Sequence, residues 1–319
     1  MKKITSLSMA LFLLLLMGCT ENETNANSTR FLLDTVVTLD IECDKVTLNE
    51  AFSLCEKYEK QLSKTVKESD VSKLNNANIG LTVKKDTAKL IERSLYYGKL
   101  SGGKFDITIC PVSNLWDFEG TALPDKKEIA EAIKNVDYES IEIDGNTVNL
   151  NGKQIDLGGI AKGFICDKLL EFFKSKNVKS GTINLGGNVL VFGEKLKTIG
   201  IKKPFSDDEI SAKLKVKDKS VVTSGIYERY INIGTKIFHH ILDPKTGYAT
   251  ETDLCSATII GNTSLDCDAL STVCILLGKE KATKLIENTK NTEAVFIDRN
   301  NKITYTSGLN KKNGVLILK

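Results

Sequence analysis

Residues 156–163 read Asp-Leu-Gly-Gly-Ile-Ala-Lys-Gly and lie where the apolar pattern changes from that of a strand to that of a helix. Glycines at such a junction allow a ligand to approach the backbone closely, and the free N–H groups of a helix N-terminus favour phosphate. Lys162 adds a positive charge, and Asp156 can accept a hydrogen bond from a hydroxyl or an amide. The segment lacks the Walker ending and the GxGxxG spacing. Taken alone, it is more typical of helix packing than of a nucleotide site.

Outward from this segment, the apolar pattern predicts helices and strands in an irregular order. Helices are predicted from Thr47, from Asp86, from Pro124, over 160–176 and as a pair over 264–289. Strands are predicted over 31–43 and in much of 181–261, and three short strands joined by two turns are predicted over 140–157. The last strands are predicted over 293–306, where they close the chain. Because no regular βαβ alternation is found, the order indicates an α+β fold with mixed or antiparallel sheets and flanking helices.

The N-terminus has the pattern of an exported lipoprotein. Lys2 and Lys3 precede an apolar stretch over 7–17 that is too short to span a bilayer comfortably. The stretch ends in Leu-Met-Gly-Cys, which resembles a lipobox with Cys19 as the lipidated residue. A plain signal peptide and an uncleaved anchor are the alternatives. We expect a signal peptide over 1–18, a lipid-anchored flexible tether over 19–30, and one large domain over 31–319, tethered to the cell membrane and facing outside the cytoplasm.

Composition excludes several classes of protein. The chain has 319 residues, 41% hydrophobic and 27% charged, which is enough apolar surface for an ordinary globular core. The net charge is +3 and the basic residues form no run, which argues against a nucleic-acid partner. Of the eight cysteines, the seven other than Cys19 show no metal-ligand spacing. We expect them to be buried thiols, with a disulfide left open.

Two further segments are punctuated by glycines, and in the first of them the glycines allow a close approach to the backbone. Residues 184–188 read Asn-Leu-Gly-Gly-Asn and are typical of a strand with a glycine bulge. Thr-Ser-Gly over 223–225 is followed by His-Ile-Leu-Asp-Pro-Lys-Thr-Gly over 240–247. An imidazole titrates near neutrality, so His240 could take a proton from an attacking hydroxyl. The simpler interpretation is a surface pair with His239.

The last polar segment reads Asp-Ala-Leu-Ser-Thr over 268–272. Asp268 and Thr272 are four residues apart, so a helix would place both oxygens on one face. Oxygen ligands suit a hard cation such as Mg²⁺, with phosphate oxygens and water in the remaining positions. The alternative is an aspartate cap followed by a threonine that bonds to its own helix.

Together and in this order, these segments resemble the ApbE family of FAD:protein FMN transferases. The family's D-x-G-[GA]-[IV]-A-K-G, N-x-G-G, T-S-G-x-Y, H-I-x-D-P-x-T-G and D-A-x-[AS]-T segments match residues 156–163, 184–187, 223–227, 240–247 and 268–272. Weaker matches occur at 31–35, 101–106 and 114–118. The resemblance implies an α+β, T-fold-like single large domain with two lobes.

The resemblance also implies roles for single residues. Mg²⁺ would be held by Asp268, Thr272 and the carbonyl of Gly159, with Ala161 as the alternative carbonyl. The residues implied to lie along the FAD site are Leu33, Asp106, Trp116, Asp117, Phe118, Asp156, Lys162, Gly187, Thr223 and His240. His240, Asp268 and Lys162 would carry the catalysis, with His240 as the base.

The implied reaction is a Mg²⁺-dependent transfer of FMN from FAD. A threonine hydroxyl of the acceptor flavoprotein would attack the FMN-side phosphorus, and AMP would leave. Expected acceptors carry a [ST]-G-[AS]-T motif, as in subunits of Rnf-type or Na⁺-translocating NADH:quinone reductases. Two other classes remain open: a Mg²⁺-dependent FAD pyrophosphatase that releases FMN and AMP, and a flavin-binding lipoprotein without turnover.

Overall fold

A computed structural model describes residues 26–319. These residues form eight α-helices: α1 Lys45–Leu62, α2 Asp70–Asn75, α3 Lys85–Leu100, α4 Cys110–Ser113, α5 Lys126–Ile133, α6 Ala161–Ser175, α7 Ser264–Leu277 and α8 Lys279–Glu287. They also form seventeen strands: β1 Ala26–Leu32, β2 Thr35–Ile41, β3 Leu81–Thr82, β4 Glu142–Asp144, β5 Thr147–Asn149, β6 Gly181–Leu185, β7 Asn188–Phe192, β8 Lys197–Lys202, β9 Ile210–Val216, β10 Lys219–Gly225, β11 Tyr230–Ile233, β12 Lys236–His239, β13 Leu254–Gly261, β14 Glu293–Asp298, β15 Ile303–Tyr305, β16 Leu309–Lys312 and β17 Val315–Leu318.

The central sheet has eight strands in the order β1-β2-β6-β7-β10-β13-β14-β15, and all neighbouring pairs are antiparallel. A four-stranded sheet has the order β16-β17-β9-β8, in which β17 and β9 are parallel. The small sheets are β3-β5-β4 and the hairpin β11–β12. Antiparallel and mixed sheets with flanking helices confirm the α+β prediction.

The main core lies between one face of the central sheet and the helices α1, α3, α6 and α7. The other face packs against the four-stranded sheet, with Val221 and Leu214 buried between the two sheets. A third apolar cluster surrounds Trp116 and Phe238 and forms a second lobe beside the main core. The active-site candidates lie where α6, α7 and one end of the central sheet meet.

The N-terminal predictions need a correction. The sequence predicts a tether to residue 30 and a single strand over 31–43, but β1 begins at Ala26 and pairs with β2, from Ala26 opposite Ile41 to Leu32 opposite Thr35. The two residues between the strands, Leu33 and Asp34, both have positive φ and make the turn. The first half of β1 is polar because its outer face is exposed, so it carries no apolar alternation. The predicted signal peptide and Cys19 lie outside the described residues.

The starts of α1, α3 and α5 differ from the predicted ones, and in α1 and α5 another side chain provides the cap. Asp44 caps α1 by accepting from the Thr47 backbone N–H at 2.7 Å, so the helix begins at Lys45. Asp86 lies inside the first turn of α3, and its carboxylate accepts from the Tyr58 hydroxyl at 2.7 Å. Asp125 caps α5. Helices α6, α7 and α8 lie where they were predicted.

Two strand predictions are wrong. Residues 154–157 form no strand, because β5 pairs with β4 on one side and with β3 on the other. The chain also continues beyond 306 into β16 and β17. The seven cysteines of the described residues are free and buried, as predicted. No helix within residues 26–319 is both long and apolar enough to cross a bilayer.

Candidate active site

Gly163 allows the first turn of α6 to touch α7. A Cβ at this position would lie 2.3 Å from the Ser264 carbonyl oxygen and 2.6 Å from the Asp268 Cβ, so no other residue fits without movement. The Gly163 N–H donates to Asp268 Oδ2 at 2.8 Å. The N-terminus of α6 therefore binds the carboxylate of the neighbouring helix, and the glycine of the Ala-Lys-Gly sequence is explained by this contact.

Asp268 is a buried carboxylate, with only 5% of its surface exposed. Burial raises its pKa above the ordinary value, while the Lys162 charge, the Gly163 N–H and the Asn188 side chain oppose that rise. A charge in such a place needs a cation or donors around it. The first of these partners, Lys162, makes no hydrogen bond or ion pair of its own with any described residue.

Thr272 lies one helical turn after Asp268, next to Gly159. A Cβ at Gly159 would be 3.8 Å from the Thr272 Cγ2. The Thr272 hydroxyl lies 3.2 Å from the Ser224 hydroxyl, which fixes it against the end of β10. If α6 extended one turn backwards, the Gly163 N–H would bond to the Gly159 carbonyl; since it bonds to Asp268, that carbonyl is left for another partner. Ala161 lies inside α6, so its carbonyl belongs to the helix, which favours Gly159 as the ligand.

Asn188 is a site residue that the sequence interpretation missed. Gly186 and Gly187 have φ of 60° and 94° and turn the chain from β6 into β7, which begins at Asn188. Asn188 is only 2% exposed, and its side chain reaches Asp268. Its Oδ1 has no hydrogen-bond partner among the described residues. Side-chain alternation was the available signal, because Asn188 shares a strand face with the buried Leu190.

Gly187 and Thr223 lie beside this turn. The Thr223 N–H donates to the Gly187 carbonyl at 3.2 Å, and the Gly187 N–H donates to Asn184 Oδ1 at 3.2 Å. The Thr223 hydroxyl lies 2.8 Å from that of Thr258 in β13. The two glycine segments predicted from the sequence are therefore joined to each other at one end of the central sheet.

Asp156 lies before α6 in a polar group of its own. Lys64 Nζ is 2.8 Å from Asp156 Oδ2, the Ser113 hydroxyl donates to the same oxygen at 3.2 Å, and the Gly158 N–H donates to Oδ1 at 2.9 Å. Burial alone would raise the pKa of Asp156, but the Lys64 charge and these donors hold it below the ordinary value. Lys64 follows α1 in a loop with no recognisable signal, and the sequence interpretation missed it.

His240 lies on the other side of the site, directly after β12. Its Nδ1 is 3.2 Å from the Arg229 carbonyl, which requires an Nδ1–H donor and leaves Nε2 as the acceptor. The ring meets Phe118 edge to face, with centroids 6.4 Å apart, and Phe118 stacks on Trp116. Burial lowers the pKa of His240 to about 4, and the Arg229 and Lys162 charges add to this. The expected titration near neutrality is therefore wrong, because the imidazole is partly withdrawn from water.

His239 faces the opposite side of the hairpin, as the alternation of a strand predicts. It is 1% exposed, and its Nε2 lies 3.2 Å from the Thr250 carbonyl. Burial lowers its pKa to about 4 as well. The interpretation of the two histidines as a surface pair is thus wrong, and only His240 faces the site.

Lys162 joins the two sides of the site. Its charge opposes the rise that burial causes in the pKa of Asp268 on α7 and adds to the fall in the pKa of His240 in the second lobe. The site therefore extends from the α6–α7 contact towards the aromatic group around Phe118, and the Lys162 charge, which forms no ion pair with a described residue, acts on both parts. Such a cation next to a helix N-terminus is suited to an anionic ligand.

Four other candidates have structural roles in the described residues. Asp106 accepts from the Thr108 N–H at 2.7 Å and from the Tyr138 N–H at 3.2 Å, so both oxygens are occupied. Trp116 is 6% exposed and donates its indole N–H to the Gly247 carbonyl at 2.9 Å. Asp117 is exposed and caps its own turn through the Glu119 N–H, and Leu33 packs against the main core. Their contacts with FAD stay predictions.

The oxygen atoms around Asp268 suit a hard cation. Within residues 26–319, no three His, Cys, Asp or Glu side chains cluster in a way that would hold a metal by themselves. The donors are the Asp268 carboxylate, the Thr272 hydroxyl and the Gly159 carbonyl; the Asn188 side chain reaches Asp268, and its Oδ1 has no hydrogen-bond partner among the described residues. Mg²⁺ prefers oxygen ligands and completes its shell with water and phosphate oxygens, so this sparse set fits it.

Known proteins share this architecture and much of this sequence. A FAD:protein FMN transferase of Klebsiella pneumoniae (strain 342) is 34% identical over 273 residues, which cover 83% of this chain and 86% of that protein. One of Treponema pallidum (strain Nichols) is 32% identical over 289 residues, covering 82% and 80%. The crystal structure of the ApbE protein of Thermotoga maritima superposes with a TM-score of 0.82 and 30% identity, over 89% of this chain and 97% of that one. The family model named ApbE family matches residues 33–296. This chain belongs to the ApbE family.

Proposed function

We propose that this protein transfers FMN from FAD to an acceptor flavoprotein. The observation that carries the proposal is the contact of the α6 N-terminus with Asp268, with the charge of Lys162 beside it. This arrangement suits a pyrophosphate held by a metal, and the relatives named above carry the same activity in their names. In the proposed step a threonine oxygen bonds to the FMN-side phosphorus, the bond to the AMP phosphate oxygen breaks, and AMP leaves.

Mg²⁺ is part of the proposal. Gly159, Thr272 and Asp268 would hold it, and when bound it would neutralise the pyrophosphate charge that repels a nucleophile. Asn188 would keep the Asp268 carboxylate in place through its amide. Lys162 binds the same anion from the side of the protein, whereas the Gly163 N–H at the start of α6 is bonded to Asp268.

His240 is the proposed base. Because Arg229 fixes the Nδ1–H tautomer, the Nε2 lone pair is available to take the threonine proton. A pKa of about 4 keeps the imidazole neutral throughout the physiological range, so it is always in the accepting form. The same low pKa makes the imidazole a weak base, and positioning of the threonine contributes most of the remaining rate acceleration.

AMP production separates this function from its alternatives. The purified protein is incubated with FAD and Mg²⁺, with and without a soluble acceptor domain that carries a [ST]-G-[AS]-T motif. AMP and an FMN-sized mass increase on the acceptor, both dependent on the acceptor, support the transferase. AMP without the acceptor would identify an FAD pyrophosphatase, and no AMP in either case would identify a flavin-binding protein.

We also propose that the protein is anchored in the membrane by a lipid on Cys19 and acts on exported acceptors, such as subunits of Rnf-type or Na⁺-translocating NADH:quinone reductases. Cys19 precedes Ala26 by 26 − 19 = 7 positions. Seven extended residues span about 25 Å at most, which would hold the domain close to the bilayer. Cys19→Ala is expected to abolish incorporation of labelled fatty acid and membrane retention; equal labelling of the variant and the parent would reject the anchor.

A further inference from the structure

The four-stranded sheet presents a basic face to solvent. Its strands β8, β9, β16 and β17 contain six lysines and neither aspartate nor glutamate. Lys213, Lys215 and Lys312 are exposed, and none of their ammonium groups forms a hydrogen bond or an ion pair with a described residue. These lysines lie in separate segments of the chain, so only the fold brings them together.

The register of the strands places the three lysines on the same side of the sheet. Lys213 lies opposite Val315 in β17, and Val315 lies opposite Lys312 in β16, so the three side chains point the same way. Lys215 follows Lys213 by two positions and shares its side. Leu214, between the two, points inward and is fully buried in the core between the sheets. The outer side that carries the three lysines is called the lysine face below.

Aliphatic side chains lie among the lysines. Val315 and Ile317 are half-buried on the lysine face, and Ile317 lies opposite Lys215. Ile210 is 54% exposed and covers Gly200, where an added Cβ would lie 2.8 Å from the Ile210 Cδ1. Lysine stems next to aliphatic groups suit a bilayer interface, because the charge can meet a headgroup while the apolar atoms leave water.

The acidic residues next to these strands along the chain lie in loops. The loop over 203–209 holds three of them, and one, Glu209, pairs with Lys203. In the two turns at the other end of the sheet, Glu194 pairs with Lys217. The charge of the lysine face is therefore not balanced on the face itself. A second copy placed face to face would bring like charges together, whereas an anionic surface is complementary.

The start of β1 lies beside the edge of the same sheet. Asn27 is opposite Asp40 in β2, and Asp40 Oδ2 is 3.7 Å from the Nζ of Lys197, the first residue of the edge strand β8. One strand spacing is about 5 Å, so the chain enters the domain close to this edge. A lipid on Cys19 would thus enter the bilayer within about 25 Å of the sheet, the reach of the segment before Ala26.

We propose that the lysine face docks on the anionic phospholipid headgroups of the membrane. This inference rests on the proposed lipid anchor and goes beyond the proposed transfer. The lipid holds the domain near the bilayer, and the lysine face sets its orientation, since each lysine close to an anionic surface adds to the attraction. Helices α6 and α7 pack on the opposite side of the central sheet, so docking leaves the site uncovered.

Energy transfer from the protein to the bilayer measures this orientation. The full lipidated chain carries a fluorophore either on Asn310→Cys, an exposed position of the lysine face, or on Lys89→Cys, an exposed position of α3 across the central sheet. The seven cysteines of the described residues are buried, so the introduced thiol is labelled selectively. The vesicles carry a quenching dye on their headgroups and contain phosphatidylglycerol with phosphatidylcholine, or phosphatidylcholine alone.

We expect stronger energy transfer from the Asn310→Cys label than from the Lys89→Cys label in vesicles with phosphatidylglycerol. The difference should disappear in phosphatidylcholine alone, where no anionic headgroup is present. It should also disappear in about 1 M NaCl, where the Debye length is about 3 Å.

Two triple variants with the Asn310→Cys label separate the lysine face from charge in general. The difference should be lost in the first, which carries Lys213→Gln, Lys215→Gln and Lys312→Gln. It should be kept in the second, which removes the same charge from exposed positions of α3 through Lys85→Gln, Lys99→Gln and Lys89→Gln. AMP formation in detergent solution should stay at the parental level in both, since neither set of lysines belongs to the site.

Equal transfer from the two labels in phosphatidylglycerol vesicles would overturn the proposal. A difference that persists in phosphatidylcholine or in the first triple variant would show a contact without charge and would also overturn it. Weaker binding of the acceptor domain by the first variant, with its vesicle orientation unchanged, would assign the lysines to a protein partner instead. Absence of AMP in the parent would reject the proposed transfer, whereas the vesicle measurement needs neither FAD nor acceptor and still decides the docking surface.

Discussion

At Asp268, the buried charge that the proposed function needs is unfavourable for the stability of the fold. We predict that Asp268→Asn lowers transfer by about 10²-fold or more, because the charge that would hold the cation is lost. The free energy of unfolding should not fall, since burial disfavours the charge and the amide oxygen can still accept from the Gly163 N–H. AMP release and urea denaturation measure the two effects.

Asp266→Asn is the control for Asp268 on the same helix. Asp266 accepts from the Arg93 guanidinium at 2.8 Å and from the Tyr97 hydroxyl at 2.8 Å, so it ties α7 to α3. Its substitution should lower stability and leave transfer per folded molecule unchanged. Parental transfer by Asp268→Asn in saturating Mg²⁺ would remove that carboxylate from the site.

His240 permits a test based on pH. We predict that the parental rate is flat across neutral pH and falls only as the pH approaches about 4, because the folded imidazole stays neutral above that value. His240→Ala should lower the maximal rate by about 10²–10⁴-fold without changing FAD affinity. A rate that rises through pH 6.5 in the parent would show that this ring is solvated during catalysis, contrary to its partly buried position.

His239→Ala serves as the internal control for His240. The substitution would be silent if His239 were a surface residue, but the buried ring and its bond to the Thr250 carbonyl predict a loss of stability. The rate of the folded enzyme should stay at the parental value. Equal loss of rate in both variants would indicate damage to the hairpin rather than loss of a base.

At the scale of elements, the contact of α6 with α7 sets the geometry of the site. Gly163→Ala would place a methyl group against the Ser264 carbonyl and the Asp268 side chain, so the helices must move apart. We predict a loss of about 1–3 kcal/mol in the free energy of unfolding together with a large loss of transfer. Gly145→Ala in the β4–β5 turn, where no atom lies within 4 Å, should cost stability through its positive φ but keep transfer. Parental transfer in Gly163→Ala would contradict the importance of this contact.

The success of sequence-based prediction differed among elements for physical reasons. Helices α6 and α8 each carry an apolar face, and α7 is a long, mostly apolar segment that is buried on nearly all sides, so all three are visible in the sequence. The β1–β2 hairpin was read as one strand because its turn contains Leu33 and Asp34 in place of glycine. β16 and β17 were missed because β17 joins the sheet through β9, far away in the chain, and the edge strand β16, which pairs only with β17, is mostly exposed.

At the scale of the whole molecule, the site is made by contacts between distant segments. The pairing of Asp268 with Thr272 was visible because both lie on one helix, and the glycine pairs were visible because they are local. The roles of Lys64 and Asn188 were not visible in the sequence. Lys64 acts on Asp156 and Asn188 acts on Asp268, and only the fold brings the members of each pair together. Local sequence segments therefore identify the residues of the anion site, whereas the side chains that balance their charges are identified only from the tertiary structure.

The folded state as a whole should lose stability in mild acid through its two histidines. Both have a pKa of about 4 in the fold, below the value near 6.5 of the unfolded chain. As the pH falls from about 6.5 to 4, the histidines of the unfolded chain bind protons while those of the folded protein stay neutral, so the free energy of unfolding decreases. Each histidine contributes a slope of at most about 1.4 kcal/mol per pH unit.

Asp167 acts in the opposite direction. Burial raises its pKa to about 6, although its oxygens accept from the Ser264 and Leu265 N–H groups at 2.8 and 2.9 Å. The folded carboxyl therefore takes up its proton below pH 6, before the unfolded one does, which stabilises the fold as the pH falls. We predict that His239→Gln flattens the loss of stability between pH 7 and pH 5 and that Asp167→Asn steepens it, as measured by urea denaturation. Parallel curves for the parent and both variants would mean that neither group changes its pKa on folding.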